Sequence, residues 1–135
     1  MRIEPYVRYQ AEEILGLYAA VGWTNYTEHP DMPEKAYANS LLILGAYEGE
    51  KLVGILRAVG DGVSAVLIQD ILVDPAYQRQ GIGSALVKEA LRRFSPVYQI
   101  QLVTDDTAKT TAFYRSLGFS SFEDLGCRGF MKFHI

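Results

Sequence analysis

Seven consecutive residues, Gln78-Arg79-Gln80-Gly81-Ile82-Gly83-Ser84, carry what an anion-binding turn needs. Gly81 and Gly83 let the backbone approach a ligand with no Cβ in the way. Arg79 adds a full positive charge and a fork of donors. After the turn, Ile82, Leu86, Ala90 and Phe94 repeat every fourth residue, flanked by Val87 and Leu91, while Lys88 and Arg92 face away. That is the period of an amphipathic helix, and Pro96 stops it. The turn therefore coincides with a helix N-terminus, whose orphan N–H groups and partial positive charge attract phosphate. Gly-x-Gly by itself belongs to many folds. A dinucleotide-binding turn needs a third glycine at position 86, where Leu86 stands. A P-loop needs Gly-Lys-Ser/Thr, which is absent.

The elements that must position this turn are legible from periodicity. Val63 to Val73, rich in Val, Ile and Leu, predicts the strand before it, ended by Asp74-Pro75 because proline cannot continue a ladder. Leu42 to Tyr47 and Leu52 to Val59 predict two earlier strands, joined by a turn at Glu48–Lys51. Asp61-Gly62 predicts a hairpin into the third. Upstream, Ile14, Leu17, Tyr18 and Val21 fall at helical spacing, with Gly22 as the stop. Trp23 to Pro30 reads as a loop. Asp31 with Glu34 resembles a capping box for a second helix, whose buried side would hold Tyr37 and Leu41. Arg2 to Tyr6 is a short edge strand weakened by Pro5. Downstream, Tyr98 to Thr104 predicts a strand, Thr107 to Leu117 a capped helix closed by Gly118, and Phe119–Phe122 with Phe130–His134 a closing hairpin. The strand–helix–strand segment from Val63 to Thr104 requires a parallel pair with a right-handed crossover. The fold class expected is α+β: a mixed, mostly antiparallel sheet with helices on both faces, in one domain over residues 1–135.

Bulk properties narrow the function classes. A chain of 135 residues with 49% hydrophobic and 21% charged residues fits one soluble globular domain. The net charge of −3 gives no global basic bias, so neither nucleic acid nor an anionic membrane is expected as a partner. The single cysteine, Cys127, excludes an intrachain disulfide and suits a reducing cytoplasm; it is expected to be a small buried or edge residue. No signal peptide and no membrane-spanning run is apparent. No cluster of metal-ligating residues stands out.

The stretch Ile71 to Leu86 resembles the acetyl-CoA signature of the GNAT N-acetyltransferase superfamily, whose Gln/Arg-x-x-Gly-x-Gly/Ala core is met by Gln78, Gly81 and Gly83. A second element, Phe113-Tyr114-Arg115-Ser116-Leu117-Gly118-Phe119, matches Phe-Tyr-x-x-x-Gly-Phe. The order of elements fits along nearly the whole chain. The resemblance implies acetyl-CoA as cofactor and direct transfer of its acetyl group to a primary amine, on a small molecule or a protein. A non-catalytic acyl-CoA-binding regulatory module of the same fold is the alternative.

Further roles follow from the resemblance. The parallel strands would splay around the cofactor. Ile71, Leu72 and Val73 would pair with its pantetheine arm. Backbone N–H groups of Arg79, Gln80, Gly81, Ile82, Gly83 and Ser84 would hold its pyrophosphate, with Gln78 at the head of the signature. Tyr114, beside Phe113, would stand near the sulfur and protonate the departing thiolate. Many relatives carry Asn and Ala where this chain has Thr107 and Thr110, which shortens any contact from position 107 to the cofactor arm. Asp70 is the first candidate base, directly or through water, with a structural pairing to a backbone group or to Arg57 as the other role open to it. Trp23, Tyr26, Glu28 and His29 could form an aromatic, mildly acidic wall for a cationic amine. A homodimer is expected as one possible assembly.

Overall fold

The computed structural model describes residues 1–134. The chain divides into two compact units, Met1–Val103 and a second beginning at Thr104.

The first unit is built on a five-stranded sheet in the order β1-β2-β3-β4-β5. The strands are β1 (Arg2–Pro5), β2 (Leu42–Glu48), β3 (Lys51–Gly60), β4 (Ala65–Val73) and β5 (Gln99–Leu102). The first four pair antiparallel, and β4 pairs with β5 parallel. Pro5 is tolerated because β1 is an edge strand. Residues Leu52 to Ala58 of β3 are all buried, as expected of a central strand covered on both faces.

Helices α1 (Ala11–Ala20), α2 (Thr24–Thr27) and α3 (Asp31–Ala38) precede β2, and α4 (Ile82–Arg93) crosses from β4 to β5. Helix α1 ends in a Schellman motif: Gly22, at φ 80°, donates to the Ala19 carbonyl and Trp23 to that of Tyr18. Ile14, Leu17 and Tyr18 of α1 pack with Tyr26, Tyr37, Ile55 and Leu72 in one core cluster. Helix α4 buries Ile82, Leu86, Val87 and Ala90, the residues its periodicity selects. It lies close to β3 because Gly54 has no side chain. A Cβ there would stand 3.2 Å from Ile82 Cγ2 and 3.3 Å from Leu86 Cδ1.

A β-bulge changes which way β4 faces. Arg57 pairs with Asp70, but Ala58 pairs with Ile68, leaving Gln69 as the extra residue. Successive residues of β3 face opposite sides, so Asp70 and Leu72 share a side with Arg57 and Ile55, while Ile68 turns to the other. The parallel ladder also stops here. Its last pair is Ile68 with Leu102, and β4 runs on to Val73 paired only with β3. This is the opening between parallel strands that the fold class implied.

Several expectations need correction. The Trp23–Pro30 loop contains the one-turn helix α2. Asp31 does not cap α3; Pro30 occupies the cap position without a side-chain bond, and Asp31 and Glu34 sit in the first turn, where their charge complements the helix dipole. Leu41 is 42% exposed rather than buried. Strand β4 starts at Ala65, not Val63, because the Asp61 carboxylate takes the N–H groups of Val63, Ser64 and Ala65 into a wider loop. The Ser64 hydroxyl, donating to the same carboxylate, and then those backbone bonds hold the Asp61 carboxyl well below the usual carboxylate range.

In the second unit, α5 (Ala108–Ser116) is capped by Thr107, whose hydroxyl accepts from the Thr110 N–H at 3.2 Å. The closing hairpin does not form within the described residues. Ser121 to Gly126 folds into turns instead. The Asp124 N–H donates to Ser121 Oγ, Asp124 is paired with Arg115, and Cys127 donates its N–H to the Phe122 carbonyl. Local side-chain acceptors outcompete a strand ladder there. Cys127 is exposed, not buried.

Gly54→Val should lower stability by about 1–3 kcal/mol, because the Cβ and its methyls would enter space held by Ile82 and Leu86. Thermal unfolding monitored by circular dichroism checks this. An unchanged midpoint would show that α4 can move off the sheet at no cost.

Candidate active site

The turn after β4 is shaped by its own side chains. Asp74 caps a 3-10 turn, Pro75–Tyr77, by accepting from the Ala76 N–H at 2.9 Å. Gln78 Nε2 then donates to the Val73 carbonyl at 3.1 Å, tying the start of the turn to the last residue of the strand. Arg79 follows at φ 64° and Gly81 at φ 81°, both left-handed. Glycine adopts this conformation freely, whereas arginine does so at a cost of about 1–2 kcal/mol. The Ala85 N–H to the Gly81 carbonyl is the first bond of α4. Among the described residues, the backbone N–H groups from Arg79 through Ser84 donate to no protein acceptor. A Cβ built at Gly81 would meet nothing within 4 Å. The turn is a row of unused donors at a helix N-terminus, open to solvent and suited to a pyrophosphate. Its donors lead directly to the part of β4 that has no parallel partner, at Ile71, Leu72 and Val73.

On the face of the sheet that carries α1, α2 and α3, an ion pair is buried. Arg57 and Asp70 are 5% and 6% exposed, and Arg57 Nε donates to Asp70 Oδ2 at 2.8 Å. The same oxygen accepts from the Tyr18 hydroxyl at 2.8 Å. The single Tyr18 proton is thus committed, so Tyr37, 3.0 Å away, is the donor in the next link. Arg57 Nη2 donates to Tyr26 Oη at 3.0 Å and Nη1 to Ser40 Oγ at 3.2 Å. The Arg57 guanidinium also lies over the Tyr37 ring. Burial is the largest cause that pushes the Tyr18 and Tyr37 phenols far above the ordinary tyrosine range, reinforced at Tyr18 by the Asp70 charge. The Tyr26 phenol is also raised, first by burial and then by Asp70.

Asp70 therefore pairs with Arg57, one of the two roles its sequence left open, and both donors converge on one of its oxygens. Of the expected acceptor wall, Tyr26 is buried with its hydroxyl turned to Arg57, and Trp23 is 41% exposed, tilted against Tyr18 with ring centroids 6.1 Å apart. Glu28 and His29 are exposed, and among the described residues neither side chain makes a hydrogen bond. Tyr18, Tyr37 and Ser40 were not singled out from the sequence. Tyr18 and Tyr37 read there only as apolar helix positions.

In the second unit, the Phe-Tyr-x-x-x-Gly-Phe pattern has a local cause. Gly118, at φ 93°, donates to the Arg115 carbonyl and Phe119 to that of Tyr114, which is a Schellman motif. The accompanying apolar contact is Tyr114 with Phe119, edge-on at 5.8 Å, with Phe113 edge-on to Tyr114 at 4.9 Å. Burial, and then the Asp105 charge, raise the Tyr114 phenol, so it is a protonated donor at neutral pH. The Thr107 hydroxyl is engaged in its cap.

The acetyltransferase (GNAT) domain family matches residues 39–121. A GNAT family acetyltransferase from Streptococcus pneumoniae TIGR4 superposes with a TM-score of 0.89 at 46% identity, over 98% of this chain and 97% of its own. The Glycine max histone acetyltransferase TAP1 is 38% identical over 76 residues, 55% of this chain and 32% of its own length. The chain thus spans about a third of that relative. The paia N-acetyltransferase of Thermoplasma acidophilum, solved in complex with coenzyme A, shares the fold at a TM-score of 0.68 and 18% identity, covering 89% of this chain and 91% of its own. The chain belongs to the GNAT acetyltransferase family.

Arg57→Ala should cost about 3–5 kcal/mol, since it leaves Asp70 as an uncompensated buried charge. The phenols add a pH dependence. Their folded pKa lies above the ordinary 10.0, so their stabilisation is fully present below about pH 10 and is lost as pH rises through the higher folded values. Urea unfolding at about pH 8 and about pH 11 should show this fall, and Tyr18→Phe should shrink it. An equal fall in the variant would remove Tyr18 from the explanation.

Proposed function

We propose that this chain transfers the acetyl group of acetyl-CoA directly to a primary amine. The observation that carries this reading is the row of unpartnered N–H groups from Arg79 to Ser84, continuous with the unpaired edge of β4. Its shape and donor chemistry fit a pyrophosphate followed by an extended, amide-bearing arm. Acetyl-CoA, when bound, supplies an activated thioester. The left-handed Arg79 and Gly81 aim backbone donors at phosphate, and the Arg79 guanidinium adds charge. Those backbone groups at Ile71, Leu72 and Val73 that face away from β3 pair with the arm, and the Val73 N–H polarises the thioester carbonyl.

The amine must lose a proton as it attacks. Asp70 is engaged by Arg57 and Tyr18, so in this reading it receives that proton through an intervening water. Tyr114 donates its phenolic proton to the sulfur as the carbon–sulfur bond breaks, which its protonated state at neutral pH permits. Trp23, Tyr26, Glu28 and His29 serve the acceptor. The exposed part of Trp23 and the Glu28 carboxylate suit a cationic amine, and Tyr26 sets the position of α2. The acceptor is a small-molecule amine or a protein amine, the latter in keeping with the histone acetyltransferase among the relatives. A lone exposed cysteine fits a reducing compartment such as the cytoplasm, and among the described residues no helix is long and apolar enough to cross a membrane.

Three variants test the assignment. Gly81→Val forces a β-branched residue into the left-handed region and should disperse the donors. Titration calorimetry should show acetyl-CoA affinity falling about 30-fold or more, a loss of about 2 kcal/mol, with an unchanged far-ultraviolet spectrum. Unaltered affinity would refute the cradle. Tyr114→Phe should lower kcat about 100-fold while KM for acetyl-CoA holds; full activity would deny the phenol its role. Asp70→Asn separates relay from scaffold. A relay predicts loss of the ascending limb of the pH–rate profile, whereas a pure scaffold lowers stability and leaves that limb in place.

A further inference from the structure

Lys51 opens β3, and the register of β3 with β4 decides what it faces. The last pair of that ladder is Gly54 with Val73, and one step further the Asp74 N–H donates to the Val53 carbonyl at 2.8 Å. Continued at the same spacing, the ladder would set Lys51 opposite Ala76. Pro75 ends it instead, and the chain curls into the 3-10 turn Pro75–Tyr77. Lys51 thus runs past the end of its partner strand, beside the turn that leads into the donor row.

The Lys51 side chain joins the two ends of that turn. Its Nζ stands 3.7 Å from Asp74 Oδ2 and 5.2 Å from the centroid of the Tyr77 ring. Asp74 immediately precedes the turn, and Tyr77 is its last residue. The two Asp74 oxygens are used separately: Oδ1 accepts from the Ala76 N–H inside the turn, and Oδ2 faces Lys51. Among the described residues Lys51 pairs with no other carboxylate. The Asp74 side chain is only 19% exposed, so solvent screens this pair less than one between two fully exposed groups. A cation held by a carboxylate on one side and a ring on the other resists opening of the turn between them.

We propose that Lys51 is a positioning residue for the donor row, acting through Asp74 and Tyr77 rather than on the ligand. The identity of that ligand rests on the acetyl-CoA reading; the clamp itself does not. The physical reason is preorganisation. Two residues after Tyr77, Arg79 is held at φ 64°, a conformation that arginine adopts at a cost. Donors set on strained backbone bind well only if the segment before them is fixed, because otherwise part of the binding free energy goes into ordering it. Three contacts fix it to the sheet: the Asp74 N–H on Val53, the Gln78 side chain on Val73, and Lys51. Of these, only Lys51 reaches from β3 to the far end of the turn.

Lys51→Met keeps the apolar stem and removes the charge. Titration calorimetry should show the acetyl-CoA dissociation constant rising about 3–10-fold, with the thermal midpoint unchanged. Steady-state kinetics should show the same rise in KM for acetyl-CoA while kcat holds. Lys51→Arg can make both contacts and should restore wild-type affinity. Asp74→Asn keeps an acceptor for the Ala76 N–H and removes the charge, so a double-mutant cycle separates the clamp from a direct pull of Lys51 on phosphate. A clamp predicts a smaller loss from Lys51→Met in the Asp74→Asn background. An equal loss in both backgrounds would overturn the proposal, as would unchanged affinity in Lys51→Met. Amide exchange measured by NMR without ligand gives a second readout. The Ala76 and Tyr77 amides should exchange about 3–10-fold faster in Lys51→Met, and identical exchange would overturn the clamp. If the wild type failed to bind acetyl-CoA while these amides still responded, the acetyl-CoA reading would fall and the clamp would stand.

Discussion

The buried Arg57–Asp70 pair is the constraint around which the helical face is assembled. A guanidinium and a carboxylate removed from water cost several kcal/mol each unless every donor and acceptor is met. Asp70 on β4 is met by Arg57 and by Tyr18 of α1. Arg57 on β3 is met further by Tyr26 of α2 and Ser40 after α3. Tyr37 of α3 completes the chain through Tyr18. All three helices between β1 and β2 are thereby held to one ion pair. The short helix α2, a single turn that could not persist alone, takes its place from the Tyr26 hydroxyl.

The pair exists because β4 is bulged. In a regular ladder continued from the Ile68–Ala58 pair, Asp70 would share a face with Ile68, away from Arg57. The same point on β4 is where the parallel ladder with β5 ends. One local irregularity thus turns a carboxylate toward the helical face and coincides with the release of the next residues from a neighbour. From there the chain passes through Asp74, the bond from Gln78 to Val73, and the left-handed Arg79 and Gly81 into α4. Gly54 lets Ile82 and Leu86 settle onto β3 and so fixes where that helix begins.

Backbone strain marks one position whose explanation lies outside the isolated chain. Arg79 in a left-handed conformation has no internal hydrogen bond from its N–H to account for it. A ligand whose charge is read by backbone and side chain together does account for it. It is a local conflict of the kind that natural sequences retain where they bind something.

Much of this architecture was legible in the sequence because it is set by short-range rules. The glycine-eased turn, the period of α4, the Gly22 and Gly118 helix stops, the Thr107 cap and the meander of strands all depend on neighbours within a few residues. So does the Tyr114–Phe119 contact, which follows from the way a Schellman motif closes. The tertiary structure decided the rest. A bulge has no reliable pattern in a strand buried on both faces, so the meeting of Asp70 with Arg57 could be named only as one option. Tyr18 and Tyr37 look like ordinary apolar helix positions until the sheet brings a carboxylate beneath them. The closing hairpin had the alternation of a strand pair, but strands need partners. At Ser121–Asp124 nearby side chains satisfied the backbone first. The sequence by itself determined where donors for a phosphate would be presented; only the packed sheet determined which buried charge holds the helices in front of it.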